Sequence, residues 1–532
     1  LSGRMRKMMK KRALALTLAA ALLTGLLAGC GSQTDTTGQL ADTAQETQEN
    51  VSYAGVDKVF TLNYHSAQPL NPFRTTDETN VLVSQLLYSQ LYNVDETFSA
   101  SPLLVKSAKT DDGVNWTFTA DTDVQFWDGT KLTAKDCAYS LQLALNSKQF
   151  SSRLGAITSV ATASETDFTV TLGYADYQLP ALLAIPVVKY GTGGNAVPTG
   201  CGPYAPNDTL TQLTRFSGYK NADKLALETI YLKEYTDTES LLSAYESGAL
   251  DLATNDPTSI YSFGYGAAND DRLFPTANLN YLAFNCRSGV FSSAGCRKAM
   301  NYVVDRDKIA TDFMNGAGSP TVLPVNPARP LYSDAYTELL SYNVKKAQQA
   351  FDDAEVQDYD GDGKREMKVT GIPVKISVVF IVCSDSPVKV EAARSIADTL
   401  VEMGIPTELK ELAWSEHQSA IKNGNFDICY AETRMTPDFC LRSLLYSGGS
   451  LNYGGYSDAG FEGAAQNFLG ASDDTRTAAA SAFFTYFTDS TPILPICFDR
   501  HEALTHRGVV TGMKPSDYNI FNGIDTWKVN FE

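Results

Sequence analysis

The N-terminal pattern constrains this chain more than any other feature: a basic stretch, then an apolar run that ends at Leu27-Ala28-Gly29-Cys30. Six lysines and arginines lie within the first twelve residues, and the apolar run extends from Ala13 to Leu27. Such a run is short for crossing about 30 Å of hydrocarbon, and a basic segment before it is typical of a signal peptide. We therefore expect residues 1–29 to be an export signal.

Cys30, the residue after the predicted export signal, is expected to be the site of lipid attachment. Ala28 and Gly29 are small enough for a signal-peptidase pocket, and the cysteine after them resembles that of the bacterial lipobox, which is diacylated and becomes the new N-terminus. Each buried methylene of an acyl chain contributes about 0.8 kcal/mol to membrane binding. We expect a lipid anchor on Cys30 and a flexible polar tether over residues 30–55. A plain transmembrane helix with an incidental cysteine is the alternative.

The charge of the chain excludes one class of partner. Its formal net charge is −18, and removal of the signal, which holds basic but no acidic residues, would make it more negative still. Binding to nucleic acid needs a basic surface, so nucleic acid is not expected as a partner. The 43% hydrophobic content is that of a folded protein, and 27 tyrosines favour polar recognition surfaces.

The chain has nine cysteines, so eight remain if Cys30 is lipidated. An even number in an exported protein permits disulfides, and the close pairs are Cys286–Cys296 and Cys429–Cys440. A chain of this length buries a large core without cross-links, so reduced thiols are the alternative. The sequence has no C-x-x-C motif and its four histidines are scattered, so a zinc site is not expected.

Several segments in a fixed order carry a family resemblance. The first is WTFTADTDVQFWDGTKLTAKDCAYSL, from Trp116 to Leu141, in which an Asp-Gly turn precedes a helix that Thr133 and Asp136 are expected to cap. The others are Pro198–Tyr204, Leu241–Ala253, Tyr281–Ile309 and Thr491–Ile496. Together they resemble the family 5 extracellular solute-binding proteins, which are the oligopeptide, dipeptide and nickel receptors of ABC transporters.

The resemblance implies an α/β fold with two lobes, of the class II type of periplasmic-binding-protein-like folds, and an extra subdomain inserted in lobe I. The implied ranges are 56–280 for lobe I, about 73–190 for the inserted subdomain, 281–492 for lobe II and 493–532 for a C-terminal return to lobe I. The hinge would be two crossings, at Leu279–Asn285 and Ile493–Phe498. Strand-like and helix-like stretches alternate in lobe II, which predicts βαβ units there; they are Ile372–Phe380, Val388–Met403, Pro406–Leu412 and Glu416–Lys422.

The implied function is that of a monomeric, non-catalytic receptor. It would capture an oligopeptide between its lobes and deliver it to an ABC transporter permease, on the outer face of the membrane of a Gram-positive bacterium. No cofactor is expected. A receptor for a nickel chelate or an oligosaccharide is the alternative, and an extracellular peptidase is a further one, although G-x-S-x-G and P-loop motifs are absent.

A peptide receptor needs main-chain partners for its ligand and a counter-charge for each end of it. From the resemblance, the turn that contains Gly202 and Tyr204 and the stretch from Glu432 to Asp438 are expected to pair with the peptide backbone. Asp438 lies in the loop whose acidic residue meets the ligand's ammonium group in the family. Arg434 suits a carboxylate, or forms an internal salt bridge with Glu432 or Asp438.

Four further candidates each have a structural alternative. Asn285, at the first crossing, either lines the floor of the cleft or caps local backbone. Trp414 is either a pocket wall or part of the core of lobe II. Tyr88 and Tyr453 are further pocket candidates, for which an ordinary packed or surface position is the favoured alternative.

One acidic segment resembles a calcium loop. Asp358, Asp360 and Asp362 occupy its first, third and fifth positions, and Gly363 its sixth. The twelfth position is Val369, not the bidentate glutamate of such loops. A surface turn is therefore favoured over a weak calcium site.

Overall fold

A computed structural model describes residues 59–259 and 268–531. The predicted signal peptide, Cys30 and the tether lie outside the described residues. Within these two ranges, no helix combines the length and the apolar character needed to span a membrane.

The helices and strands follow one another in the order of a mixed α/β protein. The α-helices are α1 Glu78–Leu87, α2 Ala134–Leu145, α3 Leu179–Leu182, α4 Thr238–Glu246, α5 Ala294–Ala299, α6 Arg306–Lys308, α7 Asp334–Leu339, α8 Val344–Asp353, α9 Pro387–Glu402, α10 Trp414–Asn423, α11 Arg442–Leu445, α12 Ala459–Leu469 and α13 Asp473–Ser490. The strands are β1 Phe60–Asn63, β2 Tyr92–Val94, β3 Ala100–Pro102, β4 Val105–Lys109, β5 Asn115–Ala120, β6 Ile157–Thr162, β7 Asp167–Leu172, β8 Tyr204–Pro206, β9 Gln212–Arg215, β10 Thr229–Lys233, β11 Leu252–Asn255, β12 Asn269–Phe284, β13 Gly318–Pro320, β14 Val356–Gln357, β15 Glu366–Val369, β16 Ile372–Lys375, β17 Val378–Cys383, β18 Thr407–Leu412, β19 Ile428–Arg434, β20 Ile493–His506, β21 Val510–Thr511 and β22 Lys528–Val529.

The largest sheet has the strand order β11-β20-β12-β19-β17-β18, with β13 paired to β20. Strands β17 and β18 are parallel and are connected through α9, so they form a βαβ unit of the kind expected from the sequence. The smaller sheets are β1-β10-β9-β8, β4-β5-β7-β6 and β14-β15-β16, and β2-β3 and β21-β22 are two-stranded pairs.

Strands β12 and β20 contain the two predicted crossings and pair antiparallel from Asn269–His506 to Ala283–Ile493. They connect two hydrophobic cores. Phe274 and Ala503 belong to the core formed by the N-terminal part of the chain and the C-terminal segment. Leu282 and Leu494 belong to the core formed by residues 282–405, by β19 and by the start of β20. The boundaries of the lobes and of the inserted subdomain stay predictions.

Local sequence signals correctly predicted one helix start and overextended one helix. The capping box at α2 is confirmed, because Asp136 Oδ2 accepts hydrogen bonds from Thr133 N at 2.8 Å and from Thr133 Oγ1 at 2.6 Å. The helical spacing of the apolar residues in the segment Asn80–Tyr92 predicts a helix along its whole length, but α1 ends at Leu87. The backbone N–H of Leu91 donates to Ile185 O at 3.0 Å. Pairing with a distant segment therefore replaces the last helical turn.

The cysteines of the described ranges are all unbridged, so neither close pair forms a disulfide in this structure. Cys429 Sγ lies 3.6 Å from His417 Nε2 in the interior. Cys440 Sγ lies 3.7 Å from the hydroxyl of Tyr174. The alternative of reduced thiols therefore describes this structure.

Candidate functional site

A cavity of about 220 Å³ lies where several distant parts of the chain meet. Its walls come from α1 and the segment after it, from the loop before β6, and from the segments that follow β19 and β21. The lining includes the side chains of Gln85, Tyr88, Arg153, Arg434, Asp517 and Tyr518. Concave sites of this kind, with a few convergent polar groups, are the usual place of ligand binding.

Arg434 ends β19 at the wall of this cavity, and 51% of its side chain is exposed. Its Nη2 lies 2.8 Å from Asp517 Oδ2, and its Nη1 donates to Asn278 Oδ1 at 3.3 Å. Burial alone would lower the pKa of Arg434, but Asp517 and Tyr518 outweigh it and the net shift of the pKa is upward. Arg434 therefore forms an internal salt bridge, but its partner is Asp517 and not Glu432 or Asp438, the partners expected from the sequence. Half of the arginine side chain stays accessible.

Arg153 adds a second positive charge to the cavity. Its Nη2 donates to Ala184 O at 3.0 Å, and its guanidinium lies 5.5 Å from the ring centroid of Tyr518. The guanidinium of Arg434 lies 5.9 Å from the same ring. Burial lowers the pKa of Arg153 to about 10, so this side chain stays charged at neutral pH. The charged residues of the lining are thus two arginines and Asp517, in a chain whose net charge is −18.

Successive residues of β19 direct their backbone N–H and C=O groups alternately to the two sides of the strand. Met435 N donates to Ala277 O at 2.8 Å, so this pair belongs to the hydrogen-bonded pairs between β19 and β12. In an antiparallel ladder the residues next to such a pair turn their N–H and C=O groups to the other side. Glu432 and Arg434 therefore direct their backbone groups away from β12.

The edge of β19 that faces away from β12 is only partly covered. Strand β17 pairs with β19 at Phe380–Ile428 and Ile381–Cys429, at the start of β19. Among residues 59–259 and 268–531, no strand pairs with Glu432 or Arg434 on that side. We call the backbone groups of Glu432 and Arg434 on this side the free edge of β19.

The side chain of Glu432 contacts Lys389 of α9 in an ion pair. Close by, Asp499 of β20 is buried and accepts a hydrogen bond from Asn280 Nδ2 at 2.6 Å. Burial, assisted by the negative charge of Glu432, raises the pKa of Asp499 to about 8. Asp499 is therefore protonated in the folded protein at pH values where it would be ionised in the unfolded chain.

This raised pKa predicts a pH dependence of stability. Between about pH 4 and pH 8 the folded protein holds a proton on Asp499 that the unfolded chain has released, so the free energy of unfolding falls as pH rises through this window. The slope is at most about 1.4 kcal/mol per pH unit. We expect Asp499→Asn, which keeps an acceptor for Asn280, to remove this contribution. Denaturant unfolding at pH 5 and pH 8 measures it, and an unchanged difference between the two pH values in the variant would contradict it.

Asp438 is buried, whereas its expected role requires a carboxylate that a ligand can reach. The residue is 1% exposed, and its carboxyl lies near the buried carboxyl of Asp176, close enough for their charges to interact. Burial raises the pKa of Asp438, and burial together with the negative charge of Asp438 raises that of Asp176. Its backbone neighbour Pro437 lines the cavity, but the Asp438 carboxyl offers a ligand no exposed surface in this structure. Its contact with a ligand ammonium group stays a prediction.

Gly202 and Tyr204 pack inside the protein instead of facing the cavity. Gly202 N donates to Leu87 O at 2.9 Å, and Tyr204 is fully buried with its hydroxyl donating to Leu227 O at 2.9 Å. Tyr88, in contrast, lines the cavity, although little of its surface is exposed and its hydroxyl donates to Pro198 O at 3.3 Å. Arg434 and Tyr88 are the predicted residues that the structure brings together at this cavity.

The remaining candidates lie elsewhere. Asn285 and Tyr453 line a second cavity of about 390 Å³, together with Arg287. Trp414 begins α10 with 60% of its surface exposed, so it is not part of a hydrophobic core in this structure. Arg153, Asp517 and Tyr518 were not found from the sequence, because no motif marks them and their position depends on how distant segments pack.

The chain matches the sequence model of the bacterial extracellular solute-binding proteins, family 5 Middle, over residues 99–449, and it therefore belongs to this family.

Individual relatives agree with this assignment. The nickel-binding periplasmic protein of Escherichia coli K12 is 25% identical over 354 residues, which cover 62% of this chain and 67% of that protein. The oligopeptide-binding protein AppA of Bacillus subtilis is 22% identical over 393 residues, which cover 67% and 69%. The unliganded open form of MppA, a periplasmic murein tripeptide binding protein, superposes with a TM-score of 0.72 at 17% identity, covering 89% of this chain and 98% of that one. The predicted fold class is thereby confirmed.

Proposed function

We propose that this protein is the oligopeptide receptor of an ABC importer, and that the peptide backbone pairs with the free edge of β19. One observation carries the proposal: Arg434 offers both unpaired backbone groups on the free edge and an accessible guanidinium. Added-strand binding gives affinity through main-chain hydrogen bonds and reads little of the peptide sequence. It therefore suits a receptor for mixed peptides.

Charge supports the orientation of the ligand. Arg434 and Arg153 give the cavity an excess of positive charge, and a guanidinium fork matches a carboxylate. We infer that the peptide carboxyl terminus, or an acidic side chain, lies beside Arg434. Tyr88 and Tyr518 supply amphipathic walls for the neighbouring side chains.

A nickel chelate is the second candidate ligand, since the Escherichia coli relative is a nickel-binding protein. Nickel prefers imidazole ligands. Among the described residues that line the cavity there is no histidine or cysteine. This favours a peptide over a metal held directly by the protein. An oligosaccharide is a further alternative for the same cavity.

Export and anchoring complete the proposal. The family is extracellular by its description. We propose that the signal peptide is removed before Cys30, that the lipidated cysteine holds a monomer on the outer face of the membrane of a Gram-positive bacterium, and that the peptide passes unchanged to the permease. A peptidase would instead release fragments from a peptide incubated with the protein.

Backbone methylation of the ligand tests the proposed mode of binding. We expect short peptides to bind the purified protein in calorimetric titrations, and alternate N-methylation to weaken binding by about fivefold to tenfold for each hydrogen bond lost. A nickel chelate and an oligosaccharide serve as comparison ligands. Equal affinity for methylated and unmethylated peptides would contradict main-chain pairing. Binding of a comparison ligand but of no peptide would contradict the peptide assignment.

A further inference from the structure

The acidic loop between β14 and β15 brings three carboxylates together. Oxygen atoms of Asp358, Asp360 and Glu366 all lie within 4.8 Å of one another. Asp358 and Asp360 are exposed, whereas Glu366 is the first residue of β15 and pairs there with Gln357 of β14. The third carboxylate of the cluster therefore comes from a position fixed by the sheet.

The buried carboxylate of Glu366 points to a ligand at this cluster. It is 3% exposed, and its Oε2 accepts a hydrogen bond from Tyr359 N at 3.0 Å. Within the described part of the chain, its Oε1 is buried and has no hydrogen-bond partner. A buried carboxylate oxygen without a partner is costly, and a cation between these three groups would remove that cost.

The loop geometry leaves the carboxylates able to bind a cation. Asp358 accepts hydrogen bonds from Gly361 N at 2.7 Å and from Gly363 N at 3.0 Å, which turns the loop around this side chain. Both glycines have positive φ angles, +79° and +83°, a conformation that side chains disfavour. An ionised carboxylate accepts about four hydrogen bonds, so Asp358 retains free lone pairs.

A positive charge already lies at this cluster. Lys375 Nζ of β16 lies 2.9 Å from Asp362 Oδ2 and 3.5 Å from Asp360 Oδ2. The ammonium group therefore occupies the outer side of the loop and would compete with an ion for Asp360 and Asp362.

We propose that this loop binds a calcium ion through Asp358, Asp360 and Glu366, with Asp362 as a further ligand once it is released from Lys375. Glu366 is the ninth residue of the loop, and it supplies the carboxylate that the twelfth position lacks. Ligands that are all oxygen atoms select a hard cation, and a flexible set of carboxylates suits Ca²⁺.

Neighbouring contacts indicate what the ion would stabilise. Arg365, next to Glu366, forms a salt bridge with Asp352 of α8 at 2.5 Å and donates to Met403 O, at the end of α9, at 2.9 Å. A fixed loop thus holds the small β14-β15-β16 sheet against two helices of the adjacent core. Calcium binding is expected to stabilise this region of the folded protein.

Calorimetric titration of calcium chloride into the chelator-treated full chain tests the site. We expect one ion with a Kd of about 10⁻⁴ to 10⁻³ M, the range of extracellular calcium modules, and a higher melting temperature at saturating calcium. Glu366→Gln and Asp360→Asn should each weaken calcium binding at least about tenfold. Because Asp360 is exposed, Asp360→Asn tests the site without a change in the buried core. Lys375→Gln should tighten binding, because the competing ammonium is removed.

A second acidic cluster provides the matched control. Lys106 Nζ lies 3.2 Å from Asp121 Oδ1 and 2.6 Å from Asp123 Oδ2, and within the described residues these two aspartates belong to no group of three or more potential metal ligands. Asp123→Asn should leave calcium binding unchanged. The proposal is overturned if the wild-type chain binds no calcium at millimolar concentration, if Asp360→Asn and Glu366→Gln bind it as the wild type does, or if Asp123→Asn weakens binding equally.

Discussion

Replacing Arg434 by methionine is expected to weaken peptide binding by about 100-fold, or about 3 kcal/mol, because a buried charge pair with the ligand is lost. Methionine retains much of the apolar stem of arginine, so the wall of the cavity stays filled. Calorimetric titration of a short peptide into the wild-type protein and the variant measures the effect. Similar far-ultraviolet circular dichroism of the two proteins would confirm that the fold is retained.

Asp517→Asn is the matched control for this prediction. It breaks the ion pair with Arg434 but keeps the guanidinium at the cavity and retains an oxygen that can accept from Ala277 N. We expect it to bind peptide as well as the wild type or more tightly, since the arginine loses a competing carboxylate. If both variants lose affinity to the same extent, Arg434 acts only through its internal salt bridge and its proposed ligand contact is wrong.

Gly202→Ala is expected to lower the free energy of unfolding by about 3 kcal/mol, at the upper end of overpacking effects. A Cβ atom at this position would lie 2.4 Å from the carbonyl carbon of Leu87 and 2.6 Å from Leu86 O. Both are backbone atoms at the end of α1, so relief requires movement of the helix. Chemical denaturation of the two proteins measures the difference.

Gly194→Ala provides the comparison for this effect. A Cβ atom at Gly194 would meet nothing within 4 Å. We expect its free energy of unfolding to stay within about 0.5 kcal/mol of the wild type, as for most surface changes. Equal stability of Gly202→Ala and the wild type would show that the turn around Gly202 moves easily away from α1.

Local chemistry explains why some elements could be predicted from the sequence. The capping box of Thr133 and Asp136 is a contact between residues three positions apart, and it forms as expected. The sequence pattern predicts one strand-like stretch over Ile372–Phe380, but the structure divides it between β16 and β17, which belong to different sheets. Alternating apolar residues identify a strand, but they do not identify its partner.

The site was harder to predict because its residues are far apart in the sequence and come together only through the order in which the strands pair. Arg434 could be singled out from the resemblance, whereas its partner Asp517 lies in a different segment with no motif around it. Asp438 was expected to face a ligand, but its neighbour in the structure is Asp176, which is distant in the sequence. The role of Glu366 likewise depends on the pairing of β14 with β15. The loop pattern alone predicts the last carboxylate at position 369, where this chain has valine.

Native mass spectrometry of the purified full chain tests whether this protein is a peptide receptor. The intact protein is first weighed with whatever it retains, and mild denaturation then releases the bound molecules for fragmentation. We expect a ladder of short peptides whose lengths report the size of the cleft. A retained metal chelate or sugar, or an empty protein whose melting temperature no peptide raises, would contradict the proposed function.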